Sequence, residues 1–373
     1  MRGRGTKQAV RELLRLADIE IDGDRPWDLQ VHNQKLYGRV LSGGSLALGE
    51  SYMDGWWDCR AMDQFFCKIL EARLDERVRG LKHVFWLSLR AKLVNLQSRS
   101  RAYEIGERHY DLGNDLYKLM LDKRMVYSSA YWKNAETLDE AQEAKLDLIC
   151  RKMGLEPGMR ILDIGCGWGG LVAFAARKYQ VEAVGITVSK EQVNLARKRC
   201  AGMPVEIRYQ DYRDVDELFD RVVSVGMFEH VGHKNYRTYM ELVHRCLPPG
   251  GLFLLHTIGR HTSTKCQDPW IEKYIFPNSL LPSPNQITAA AEGLFMLEDW
   301  HSFGHHYDTT LMTWYRNFRE RWDQIKDNYD EEFYRMWTFF LLSSAGSFRS
   351  RKNSVWQVVF SKGGVKEGYV SVR

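Results

Sequence analysis

At 373 residues, 44% apolar and 27% charged, the chain can bury one large or two modest cores, which excludes a disordered or fibrous protein. Its seven cysteines, an odd number with no Cys-x-x-Cys pair, exclude a disulfide framework and a zinc knuckle and fit reduced cytosolic thiols. The net charge of +5 is mild, so the basic runs Arg197 to Arg199, Arg99 to Arg101 and Arg349 to Lys352 read as solvated faces or as contacts for anionic lipid; no nucleic acid is expected.

The N-terminus, Arg2-Gly-Arg-Gly-Thr-Lys7, leads into an amphipathic helix and not into an apolar signal segment. No uninterrupted apolar run approaches the length that spans a bilayer, so any membrane contact is expected to be peripheral. Residues 1–95 read as a separate, mostly helical unit. Helical patterns cover Val10 to Leu16 and Met62 to Leu74, and Asp22 to Pro26 is a turn. The glycine-punctuated, aromatic stretch Gly43 to Trp57 reads as a packed loop. Leu81 to Leu96 is a basic amphipathic helix suited to a membrane surface or to packing on a domain. Residues 96–125 form a charged linker and covering segment, and 126–373 the catalytic part. Leu138 to Met153 is a helix closed by Gly154 and Pro157.

From Arg160 strands and helices alternate, which predicts an α/β fold with a parallel sheet. The expected strands are 160–164, 181–186, 205–209, 220–225 and 251–256, with helices near 169–179, 189–200 and 235–246. Leu294 to Leu297 and Val355 to Phe360 add a final strand pair. The fifty or so residues between them, rich in Trp and Phe, read as a helical insertion over the sheet's edge and as a wall for an apolar substrate.

The stretch Met159-Arg-Ile-Leu-Asp-Ile-Gly-Cys-Gly-Trp-Gly-Gly170 organises this region. Ile161, Leu162 and Ile164 make a short buried strand, and Gly165, Gly167 and Gly169 turn the chain into a helix whose bare amides favour a nucleotide-type ligand. Gly165-x-Gly167-x-x-Gly170 also fits a dinucleotide fingerprint, but that site wants an acid closing the second strand, and Thr187 stands there. Asp163 suits a cationic or amino-acid moiety, which favours S-adenosylmethionine, although Thr187 is unusual for a generic methyltransferase.

Ligands of open α/β sheets bind beyond the carboxyl ends of the strands. That rule selects Glu229, after the strand Arg221 to Val225; His256, ending Leu252 to Leu255; and Tyr307, after the run ending at Trp300. A carboxylate, an imidazole and a phenol there can form a base cluster or an anion-holding cup. Glu229, His230, His233 and His256 are also metal-ligand types, but their spacing is not the helical His-Glu-x-x-His arrangement, and no metal is expected.

Taken together, Gly49-Glu-Ser-Tyr-Met-Asp-Gly-Trp-Trp57, His109-Tyr-Asp-Leu-Gly-Asn114, Tyr127-Ser-x-Ala-Tyr-Trp132, Leu162-Asp-Ile-Gly-Cys-Gly-Trp-Gly-Gly170, Gly226-Met-Phe-Glu-His-Val-Gly232, His256-Thr-Ile-Gly259, Asp268-Pro-Trp270, Lys273-Tyr-Ile-Phe-Pro277 and Tyr307-Asp-Thr-Thr-Leu311 resemble the bacterial cyclopropane-fatty-acyl-phospholipid synthases. The catalytic part is also similar to the mycolic acid cyclopropane synthases, which lack the N-terminal domain. The resemblance implies a Rossmann-like S-adenosylmethionine-dependent methyltransferase fold, a mostly parallel seven-stranded sheet with a helical insertion, and a smaller, mostly helical N-terminal domain. It implies transfer of a methylene group from S-adenosylmethionine to the cis double bond of an unsaturated acyl chain in a membrane phospholipid. It further implies a homodimer, cytoplasmic and peripheral to the inner membrane. Tyr127, Ser128, Gly165, Gly167, Thr187, Gln192, Asp211 and Tyr212 would hold the cofactor beside Asp163 and Gly169. Glu229, His256, the backbone of Ile258 and Tyr307 would hold a bicarbonate ion. Two positions depart from the family, Ser129 and Ser344, where cysteine is usual; they leave a backbone contact at Ser129 and a lining role at Ser344, without thiol chemistry. The alternatives are a C-methyltransferase giving branched acyl chains and a lipid-binding protein with a vestigial cofactor site.

Overall fold

The computed structural model describes residues 2–77 and 113–373. The expected helix Leu81 to Leu96 and the motif from His109 to Leu112 lie outside the described residues. The described chain forms two compact units. One comprises residues 2–77, Lys265–Pro277 and Tyr307–Asn353; the other comprises residues 113–264, Asn278–His306 and Ser354–Arg373. No helix among the described residues is long and apolar enough to cross a membrane.

The first unit is mostly helical. Its helices Arg2–Arg15, Leu36–Met53, Met62–Glu71 and Leu74–Arg77 are joined by a two-residue antiparallel pair, Gln30–Val31 with Trp57–Asp58. Gly43 to Met53, expected as a loop, is helical instead. Each glycine weakens a helix by about 1 kcal/mol. Here Gly44, at φ +59° and ψ −137°, concentrates the irregularity into a kink, and burial of Leu36, Tyr37, Ala47, Tyr52 and Met53 outweighs the propensity.

The insertion between the last two strands is indeed helical, as His305–Arg321 and Glu331–Arg349. Its residues from Tyr307 to Asn353 are part of this first unit. Phe339 packs on Trp270 with ring centroids 4.5 Å apart, and also meets Tyr52, Trp57 and Phe66. The Arg349 guanidinium bonds the carboxylates of Asp63 and Asp308.

The second unit contains a seven-stranded sheet. In chain order the strands are β1 (Arg160–Ile164), β2 (Glu182–Thr187), β3 (Val205–Tyr209), β4 (Arg221–Val225), β5 (Leu252–Arg260), β6 (Met296–Ser302) and β7 (Asn353–Ser361). Their spatial order is β3-β2-β1-β4-β5-β7-β6. The first five pair in parallel, and β6 pairs antiparallel with β7. Strand β5 runs past His256 to Arg260, so His256 sits inside the strand opposite Val225 and does not end it. The order reverses at β1, whose neighbours are β2 on one side and β4 on the other; this is the switch point where open α/β sheets bind ligands.

Helix Met62–Glu71 approaches Glu331–Arg349 closely at Gly346. A Cβ there would lie 2.6 Å from the carbonyl oxygen of Asp63 and 2.7 Å from Phe66 Cβ. Gly346→Ala is therefore expected to lower stability by about 1–3 kcal/mol, read as a fall in the urea midpoint against the parent protein.

Candidate functional site

The turn after β1 positions the site. The amides of Gly165 and Cys166 both donate to the carbonyl of Ile186 on β2, at 2.9 and 3.0 Å, which pins the turn against its neighbour strand. Gly165 has φ +85°, and a Cβ there would stand 2.9 Å from Met227. Only glycine meets both demands. Helix Gly170–Tyr179 then begins beside a cavity.

Of the expected cofactor residues, Tyr127, Ser128, Asp163, Gly165, Gly167, Thr187, Gln192, Asp211 and Tyr212 all line this cavity. Gly169 is absent from the lining; it caps the helix, with Ala196 and Cys200 packed against it. Thr187 Oγ1 donates to Gln192 Oε1 at 2.7 Å, so the two form a pair at the end of β2. Ser189 caps helix Lys190–Arg199 through the amide of Gln192. Asp211 accepts from the amide of Arg213 at 2.9 Å and pairs with its guanidinium.

Other lining residues escaped the sequence reading. Trp168 lines the cavity, donates its indole N–H to Asn114 Oδ1 at 3.0 Å, and packs on Tyr117, which also meets Tyr127. Lys145 also lines it, fully buried on helix Leu138–Lys152. The signal was present: Leu138, Ala141, Gln142, Lys145, Leu146 and Ile149 follow helical spacing, so the lysine stands in the middle of the buried face. Thr137 and Glu140 start that helix with a reciprocal capping box. Gln142 Nε2 donates to the carbonyls of Val126 and Ser128 at 3.2 and 2.9 Å, fastening the Tyr127–Ser128 segment to the helix.

Glu229 lies in a single 3-10 turn after β4, and its carboxyl is buried. Oε1 accepts the amide of Ile258 at 2.7 Å, and Oε2 has no hydrogen-bond partner among the described residues. Burial pushes the Glu229 carboxyl up to about 7, against the pull of the Ile258 amide. His256 is buried and held well below the usual imidazole range by loss of water. Gln357 Nε2 on β7 donates to His256 Nδ1 at 3.3 Å, which leaves the proton of the neutral ring on Nε2. Both groups can thus present an O–H or N–H to an anion. Ser129 is fully buried, its hydroxyl donating to the carbonyl of Ala130 at 3.1 Å.

Tyr307 and Ser344 belong to the first unit. Tyr307 sits in the first turn of helix His305–Arg321, its ring 4.7 Å from Phe348 and 5.8 Å from Trp314. Ser344 is half-buried on helix Glu331–Arg349, its carbonyl accepting the Ser347 hydroxyl at 2.7 Å.

The mycolic acid cyclopropane synthetase family profile matches residues 97–358. The cyclopropane-fatty-acyl-phospholipid synthase of Escherichia coli is 56% identical over 357 residues, covering 95% of this chain and 93% of that protein. The tuberculostearic acid methyltransferase UfaA1 of Mycobacterium tuberculosis is 36% identical over 345 residues, 86% of this chain and 79% of its own. Among solved structures, the cyclopropane synthase MmaA2 of Mycobacterium tuberculosis matches with a TM-score of 0.66 at 34% identity, covering 70% of this chain and 98% of its own. Mycolic acid cyclopropane synthase CmaA1, complexed with SAH and CTAB, matches at 0.65 and 36% identity with the same coverage. The chain therefore belongs to the cyclopropane synthase family, enzymes built on the S-adenosylmethionine-dependent methyltransferase fold.

Proposed function

We propose that this enzyme transfers a methylene group from S-adenosylmethionine to the cis double bond of an unsaturated acyl chain in a membrane phospholipid and closes a cyclopropane ring. The observation that carries this reading is the 56% identity to the Escherichia coli cyclopropane-fatty-acyl-phospholipid synthase over 95% of the chain. The cavity beside Gly165 fits the cofactor: a glycine-lined turn allows close approach, and Asp163 Oδ1, buried and without a hydrogen-bond partner, offers an acceptor to its amino group. The cofactor would supply the one-carbon unit as an electrophilic methyl. Tyr127, Ser128, Gly165, Gly167, Thr187, Gln192, Asp211 and Tyr212 hold and orient it, with Gly169 shaping the helix start.

An alkene is a weak nucleophile, so the protein's task is to align it and exclude water. Tyr127 and Trp168, with Tyr117 packed behind them, provide an aromatic cover at the cavity, suited to an apolar chain and to positive charge. A bicarbonate, held by Glu229 and His256, would supply negative charge and a base. The orphan Oε2 of Glu229 and the Nε2–H of His256 fit that role, and the Ile258 amide orients the Glu229 carboxyl. Tyr307 joins this set, and Ser129 and Ser344 take minor backbone and lining roles, on the resemblance alone. The enzyme acts peripherally at the inner membrane surface, from the cytoplasm and as a homodimer.

A second reading, C-methylation giving branched chains, is favoured by the relative UfaA1, named a tuberculostearic acid methyltransferase. Incubation with labelled S-adenosylmethionine and vesicles of unsaturated phospholipid tests both. The ring reading expects label in the acyl chains and cyclopropane protons in the product spectrum. A methyl branch supports the second reading, and no label overturns both.

Glu229→Gln is expected to lower turnover at least a hundredfold, on the order of one lost electrostatic or acid–base group, while cofactor affinity stays within about twofold. The same variant reports on burial. A carboxyl raised to about 7 holds its proton more tightly in the folded protein, so stability is lost as pH rises from the ordinary carboxylate range through 7. Urea denaturation at pH 5 and pH 8 is expected to show Glu229→Gln gaining on the parent by about 3 kcal/mol at the higher pH.

A further inference from the structure

Lys145 is a fully buried lysine on the cavity wall, and the proposed reaction leaves it without a role. Its ammonium donates to the neutral hydroxyl of Ser128 at 2.9 Å. Asp163, 2% exposed, lines the same cavity and has an oxygen, Oδ1, with no hydrogen-bond partner among the described residues. A lysine spends considerable free energy to be dehydrated, and a hydroxyl is a poor partner for its charge. What compensates it is the field of two buried carboxyls, Asp163 on β1 and Asp122 on the segment before the site.

We propose that Lys145 is a positioning residue that governs the charge of Asp163 on the cavity wall, so that a cationic ligand enters only as this pair gives up a proton. The proposal rests on the reading that the cavity takes S-adenosylmethionine, and it adds a proton linkage to that reading. Burial and the mutual field bring both groups to about 7, Asp163 from below and Lys145 from above. An incoming ammonium or sulfonium stabilises the Asp163 carboxylate and repels the Lys145 ammonium. Either response releases a proton to solvent: the carboxylic O–H of Asp163 dissociates, or an N–H of Lys145 does.

Around the pair, the imidazoles, the thiol and the phenol do not change charge near neutrality; burial brings His230, on the same cavity wall, down to about 4. His256 is held well below the imidazole range by burial and by the Lys145 charge. Burial holds the Cys166 thiol well above its ordinary range and raises the Tyr239 phenol, and Asp163 adds to both. Burial raises the Asp122 carboxyl, but the amides of Val126 and Arg124 hold it.

The test is calorimetric titration of the whole protein with S-adenosylmethionine at pH 6, 7 and 8, in buffers of low and high ionisation enthalpy. The expected result is release of roughly half a proton per ligand at pH 7 and affinity about tenfold tighter at pH 8 than at pH 6. In Lys145→Met, Asp163 loses its nearest cation, so the tightening moves to higher pH by about one unit or more. In Asp163→Asn the ligand binds more weakly and the pH dependence collapses. Binding by the parent with no proton exchanged and a flat pH profile overturns the proposal while leaving the cofactor reading intact. So does a Lys145→Met profile that superimposes on the parent's. No binding at any pH overturns the cofactor reading, and the proposal with it. Should Lys145→Met not fold, the proton count of the parent protein decides.

Discussion

The double hydrogen bond from Gly165 and Cys166 to the carbonyl of Ile186 is the constraint on which the site depends. It forces the chain leaving β1 to turn immediately beside β2. The left-handed backbone at Gly165 and the nearby Met227 side chain then leave no room for a Cβ. Everything that lines the cavity is referred to this turn. Asp163 precedes it on the buried strand, Thr187 ends the neighbouring strand and bonds Gln192 in the helix that follows, and Gly226 and Met227 follow β4 on the other side. A parallel sheet places these strand ends on one edge without any need for the residues to be near in sequence.

A second constraint is dehydration. Asp163, Glu229, His256 and Lys145 are all buried, and in each case loss of water is the largest influence on the proton. The two acids move up and the two bases move down. All four shifts disfavour charge, so near neutral pH the site carries far less charge than its residue types suggest. Helix Leu138–Lys152 accommodates this by supplying neutral hydrogen bonds from Gln142 to the backbone, while Lys145 bonds a hydroxyl.

Much of the fold was legible from pattern alone. The strand-helix alternation from Arg160 onward reads directly from β-branched runs and glycine turns; Val355 to Phe360 lies within β7, whereas Leu294 to Leu297 reaches only the first two residues of β6, Met296 and Leu297. Composition misled at Gly43 to Met53, because tertiary burial outweighed glycine's poor propensity. It was also silent on how the aromatic insertion is partitioned. Phe339 reads as apolar in any register, and only the fold pairs it with Trp57 and Trp270 in the first unit. The cavity was legible where a motif carried it, as at Asp163 to Gly167. Lys145 was not, because a lysine in a Glu- and Lys-rich helix reads as solvated until its phase against Ala141 and Ile149 is counted.

The weak charge of these buried groups bears on the proposed reaction. A cation developing on an alkyl chain is stabilised by negative charge nearby, yet a permanently ionised, dehydrated carboxylate would cost several kcal/mol to hold in the folded protein. A carboxyl poised near 7 at Glu229 and a neutral imidazole at His256 avoid that cost. On the proposed reading they would donate to an anion that brings its own charge. The same logic applies at Asp163, where charge is best drawn out by the ligand that needs it. On the proposed reading, buried groups tuned toward neutrality would let the enzyme take an apolar chain and a cationic reagent without drawing water into its core.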